Sequence, residues 1–208
     1  MNISKNLDVQ IHGLDNFSKS EKEKFLKAIE LCKKVVNSKE FEQKIVNYQW
    51  TSGGVIHNTF KKSEGLTNEE VFEKFMSGSD MFNPEKDSDL DLYTTLYYSR
   101  SSTIGYTYPN TFKTWINRKY FSSFSLAGIV GNIVHEYLHN VGFGHASKYN
   151  STRIHTVPYA YGSIASNIAQ DMLDEISNGG NPENIPSKKK LVCRGWWIFR
   201  KCYWVEVD

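Results

Sequence analysis

Apolar residues recur one helical turn apart at Phe25, Ile29, Cys32 and Val36, which predicts an amphipathic helix over Ser20–Val36. Ser20 and Glu23 form a capping-box pair at its start, and a short strand is expected before it at Val9–Ile11. A second strand reads over Ile45–Trp50, ending at the Gly53-Gly54 breaker. A second, shorter helix reads over Thr67–Met76, opened by the pair Thr67 and Glu70. β-branched and aromatic residues predict strands at Leu90–Tyr98 and Thr103–Tyr108. The acidic stretch Asp87–Asp91 alternates with Leu90 and Leu92, which reads as the solvated face of a strand. It lacks the glycine and later glutamate of a calcium loop.

The longest apolar pattern lies over Ser125–Val141, where Leu126, Ile129, Val130, Ile133, Val134, Leu138 and Val141 cover much of a helix circumference. Such a helix belongs inside the protein. Further on, Ile164, Ile168, Met172 and Ile176 repeat every four residues and predict a last helix, stopped by Asn178-Gly179-Gly180. Lys188–Trp204 mixes basic residues with Trp196, Trp197, Phe199, Tyr203 and Trp204. It reads first as a hairpin of half-buried strands, and second as a surface for membranes, glycans or anionic partners.

These elements give an α+β chain, and 208 residues suit one well-buried core better than two independent domains. The expectation is a single domain, 1–208, with an N-terminal lobe (1–141) of twisted sheet, helices and the long apolar helix. A smaller C-terminal lobe (142–208) holds one helix and a short hairpin. A net charge of +2 singles out no partner, and nucleic acid is not expected. No apolar run reaches the roughly 20 residues that span a bilayer, and Met1–Gln10 lacks the apolar core of a secretory leader. Cys193 and Cys202 flank the tail and suit a disulfide, leaving Cys32 as a core thiol. This favours an extracellular home over a reducing one.

Chemistry concentrates at the end of the long helix, in His135-Glu136-Tyr137-Leu138-His139-Asn140-Val141-Gly142-Phe143-Gly144-His145. Residues four apart on a helix share a face, so His135 and His139 project together. A straight helix cannot aim His145 at the same point. Gly142, free to enter the left-handed region, is expected to turn the chain and bring it back. Three neutral imidazoles suit one zinc ion, Zn2+, and leave a fourth position open, as in catalytic rather than structural sites. Glu136, beside the first ligand, is placed to act as general base and to return the proton to the leaving group. His12, His57 and His155 have no companion pattern and read as structural or surface residues.

With His135, Glu136, His139, Gly142 and His145 at every fixed position of its extended motif, the chain resembles the metzincin clan of zinc endopeptidases. The resemblance covers 11 residues, and implies a two-lobed catalytic domain in which these residues take the roles just given. It also implies a turn beneath the metal that carries a methionine. Val157–Ala165 stands in that place, with Ala165 where the methionine would be and Met172 in the following helix. Tyr159 or Tyr161, within this segment, could donate a hydrogen bond to the developing oxyanion. The alternative for each is a tyrosine packed in the turn. Substrates of such enzymes lie extended along a sheet edge. Thr103–Tyr108 is the candidate edge, closed by Pro109, with Trp115–Tyr120 shaping the cleft wall. Two other functions stay open at this point, a zinc-stabilised protein- or glycan-binding module without catalysis, and a zinc amidohydrolase acting on a non-peptide bond.

Overall fold

The computed structural model describes residues 6–80, 83–108, 113–145 and 150–178, together with the backbone of two strands at 189–194 and 201–206. The chain is a mixed α+β protein. Its main sheet has the order β1 (Asp8–Asp15), β4 (Asp89–Tyr97), β6 (Lys113–Asn117), β5 (Gly105–Thr107). The first three strands are mutually parallel, and β5 is an antiparallel edge. Helices α1 (Lys19–Val36) and α5 (Leu126–Asn140) pack on one another and on this sheet.

Strand β4 is buried at Leu90, Leu92, Thr94 and Leu96, the parity expected of a core face. The opposite parity departs from the solvated reading, because Asp91 is only 3% exposed. A β-bulge between Ile11 and Gly13 takes up His12, whose Nε2 lies 2.5 Å from Asp91 Oδ1. A carboxylate in a central strand thereby gains the partner that its burial requires.

The cap of helix α1 lies two residues earlier than its pattern suggests. Ser18 is the cap, extended at φ −67° and ψ 166°, and Glu21 rather than Glu23 closes the capping box. Phe17 decides the choice by packing on Phe25 and Phe121, with ring centroids 5.3 and 5.6 Å away. Cys32 is a core thiol as expected, its pKa pushed up to about 12 by burial.

Of the strand expected at Ile45–Trp50, Ile45 and Val46 instead end helix α2 (Lys39–Val46), capped by Ser38, with Phe41 and Ile45 one turn apart on its buried face. The β-structure begins later, as a two-stranded hairpin of β2 (Trp50–Ser52) and β3 (Val55–His57). Gly53 and Gly54 form its turn, at φ 57° and 79°. Helix α3 (Asn68–Met76) has the expected capping box of Thr67 and Glu70. Trp115 is half-buried on β6, beside the edge strand, and β6 is followed by the short helix α4 (Arg118–Phe121).

Val157–Ala165 is not a turn but the start of helix α6 (Val157–Ser177). Thr156 accepts the first backbone bond, from Ala160, which places Pro158 in the first turn, where its missing N–H costs nothing. The buried positions include Val157, Ala160, Tyr161, Ala165, Ile168, Ala169 and Met172, whereas Ile176 is exposed. A strict four-residue repeat drifts around a helix of 3.6 residues per turn, so the run ending at Ile176 leaves the buried face.

Helices α5 and α6 meet backbone to backbone at two glycines. A Cβ on Gly131 would lie 2.7 Å from the Gly162 carbonyl, and one on Gly162 would lie 2.7 Å from the Gly131 carbonyl and 3.1 Å from His135 Cβ. This close approach sets the first turns of α6 against the histidine helix. Phe75 of α3, Tyr137 of α5 and Tyr161 of α6 are linked through ring contacts of 5.4 and 5.7 Å.

By compactness the chain divides into Met1–Asp171 and Met172–Asp208. The second unit holds the end of α6 and the expected hairpin, β7 (Lys189–Arg194) against β8 (Lys201–Glu206), with Cys193 opposite Cys202 in the register. The side chains of this hairpin, Pro109 and Gly179-Gly180 lie outside the described residues. Among the described residues, no helix is long and apolar enough to cross a membrane.

Candidate metal centre

His135 and His139 project from the last turns of α5, an apolar helix capped by Ser125 and closed by Gly142. Gly142 has φ +101°; its N–H bonds to the His139 carbonyl at 3.1 Å and that of Phe143 to the Leu138 carbonyl at 2.9 Å. This pair of bonds is a Schellman closure, which turns the chain and returns His145 to the other two imidazoles. Their candidate ligand atoms all lie within 4.8 Å of one another, so the group could hold a metal ion.

The protonation states suit that role. Burial holds His135 well below the ordinary imidazole pKa, helped by His139 and His145 and opposed by the Pro158 carbonyl. Burial also lowers His139. Its Nδ1 lies 2.8 Å from the Phe143 carbonyl, which only accepts, so Nδ1 carries the proton and Nε2 is free to ligate.

Glu136 is 4% exposed, and burial pushes its pKa up to about 7. Thr107 and Asn132 act against that rise. Thr107, on the edge strand β5, donates from Oγ1 to Glu136 Oε2 at 3.2 Å, and its hydroxyl also meets that of Thr114 on β6 at 3.2 Å. The carboxylate is thus tied to the sheet edge. Thr107→Val is expected to lower any Glu136-dependent turnover about tenfold to a hundredfold, because a hydrogen bond to a charged group contributes roughly 1.5–3 kcal/mol. Metal content should not change and Thr107→Ser should restore the rate, as steady-state kinetics alongside metal analysis would show.

The structure separates the two candidate tyrosines. Tyr159 is half-buried, with its ring 4.6 Å from His135 and 4.9 Å from His145. Tyr161 is fully buried among Phe41, Phe60 and Phe75, at 5.8, 5.2 and 5.4 Å, away from the histidines. Its hydroxyl is buried without a hydrogen-bond partner. Tyr161→Phe is therefore expected to raise stability by about 1 kcal/mol, since it removes an unsatisfied buried group, as urea unfolding would measure. Activity should persist, and its loss would return Tyr161 to the chemistry.

Arg153 joins the site unannounced by any spacing in the sequence. It belongs to a single 3-10 turn, Arg153–His155, with its guanidinium 4.7 Å from the Tyr159 ring centroid. Nη2 donates to His145 Nδ1 at 3.2 Å. Because a guanidinium only donates, Nδ1 is the acceptor here and the proton of neutral His145 sits on Nε2. A metal held by His145 would take over one of these nitrogens, so Arg153 must then turn to another acceptor.

The remaining histidines lie elsewhere. His12 pairs with Asp91. His57 and His155 each stack on Trp50, at 4.0 and 4.5 Å, with His155 Nδ1 2.7 Å from the Tyr48 hydroxyl. In comparisons with known proteins, no family model matches the chain and no curated protein shows significant similarity to it.

Proposed function

We propose that the chain is a zinc-dependent endopeptidase of metzincin type, acting outside the reducing cytosol on peptides bound along the edge strand β5. The observation that carries this reading is the convergence of three imidazoles beside a buried carboxylate that is anchored to a sheet edge. His135, His139 and His145 would hold the ion and leave a coordination position open, as catalytic sites do. Zinc bound there would supply Lewis-acid polarisation of the scissile carbonyl and of the attacking water.

The chain's own residues account for the rest. Glu136, with Oε2 held by Thr107, offers Oε1 to take a proton from water and pass it to the leaving amine. Its elevated pKa suits a group that must both accept and release a proton near neutrality. Tyr159 is the better placed tyrosine to donate to the oxyanion, while Tyr161 is a core residue. A substrate strand added to β5 would bring its scissile bond to the same edge that anchors Glu136.

Cleavage of a diverse peptide library by the zinc-loaded chain, with a chelator control and Glu136→Ala alongside, tests the reading. Cleavage lost in both controls supports it. Stoichiometric zinc without any cleavage would favour the binding module, and turnover confined to non-peptide amides would favour the amidohydrolase.

A further inference from the structure

We propose that the sheet face turned away from Glu136 is a selectivity surface, on which Tyr97, Tyr106, Tyr108 and Trp115 receive large aromatic side chains of an extended peptide paired to β5. This deepens the peptidase reading and rests on it. Successive side chains of a strand point to opposite faces. Thr107 and its partner Thr114 point toward Glu136, so Tyr106 and Tyr108 of the same edge, and Trp115 beside them, point the other way.

These side chains make one continuous aromatic group. Tyr106 stacks on Trp115, with centroids 5.3 Å apart and planes at 11°, and meets Tyr97 at 5.4 Å and Tyr108 at 5.1 Å. Tyr108 closes the group against Trp115 at 5.4 Å and is 57% exposed. Three of the four strands of this sheet are parallel, an arrangement that ordinarily has both faces covered, yet here tyrosines and a tryptophan line the second face at the edge.

A peptide strand on β5 presents alternate side chains to the two faces. Those on the Glu136 side face the chemistry. Those on the far side lie across from Tyr106, at the spacing of cross-strand pairs, where aromatic pairs gain more than their area alone. The choice of aromatic over basic side chains follows from Lys113. Its Nζ, paired with Asp15 Oδ2 at 2.7 Å, lies 4.5 Å from the Tyr93 centroid and 5.8 Å from that of Trp115, so these rings already carry a cation whose charge is balanced and offer a basic peptide side chain no further cation–π site.

The test uses peptides that differ only by Phe or Ala, one position at a time, within three residues of the cleaved bond. Zinc-loaded wild type is expected to favour Phe by about three- to tenfold in kcat/KM at alternating positions. In Tyr106→Ala, with Tyr106→Leu as the milder variant should folding suffer, the Phe-to-Ala ratio should fall below about twofold at those positions. Calorimetric binding of the same peptides to the metal-free chain should show the same alternation and the same loss. Cleavage by wild type without alternation, or a ratio that survives in both Tyr106 variants, overturns the proposal. Failure of wild type to cleave any peptide overturns the peptidase reading instead, and the metal-free binding comparison then decides the surface by itself.

Discussion

Glu136→Gln is expected to bind zinc as wild type does and to lose peptide hydrolysis by about 10²–10⁴-fold, the range over which a positioned general base contributes. The separation of the two properties is the informative part. Glu136 is no member of the imidazole group, and its carboxylate is engaged by Thr107 rather than by a histidine. Glutamine keeps the shape and can still meet the Thr107 hydroxyl, so packing around the buried side chain survives. What disappears is the oxygen that accepts a proton from water. A Glu136→Gln variant that still cleaved peptides would remove Glu136 from the mechanism, and one that lost its zinc would make Glu136 a ligand.

His145→Ala is expected to reduce zinc affinity beyond the roughly 10- to 100-fold that loss of a mere outer-shell partner costs. The protein should remain folded, because His145 is half-buried and follows the Schellman closure rather than supporting it. The consequence is visible in stability. Zinc at about 1,000 times its dissociation constant stabilises the wild type by about 4 kcal/mol, which raises the melting temperature of a domain of this size by roughly 8–16 °C. The same zinc concentration should move the His145→Ala midpoint by a small fraction of that. An undiminished zinc-dependent shift would mean that the ion sits elsewhere.

The site is legible in the sequence where it is local. The spacing of His135, His139 and His145 and the need for a left-handed residue at Gly142 are properties of eleven consecutive residues, and the helix with its Schellman closure reproduces them. Arg153 and Thr107 are not legible in this way. They meet the site from 8 and 29 residues away in the chain, through contacts that exist only after folding. Ile45 reads as a strand residue because a short segment of mixed apolar and charged character fits a strand as well as a short helix. Phe41 and Ile45, one turn apart, settle it through packing. Val157–Ala165 departs from its reading for another reason. The turn is implied by the resemblance alone, whereas Pro158 suits the first turn of a helix and Gly162 meets Gly131 in a close helix contact.

Zinc K-edge X-ray absorption on the chain loaded with one equivalent of zinc tests the proposed centre most directly. The expected result is three imidazole nitrogens with the remaining coordination supplied by oxygen, and loss of imidazole scattering in His145→Ala. A sulfur scatterer, a fourth imidazole, or failure of the chain to retain one zinc would contradict an open three-histidine site.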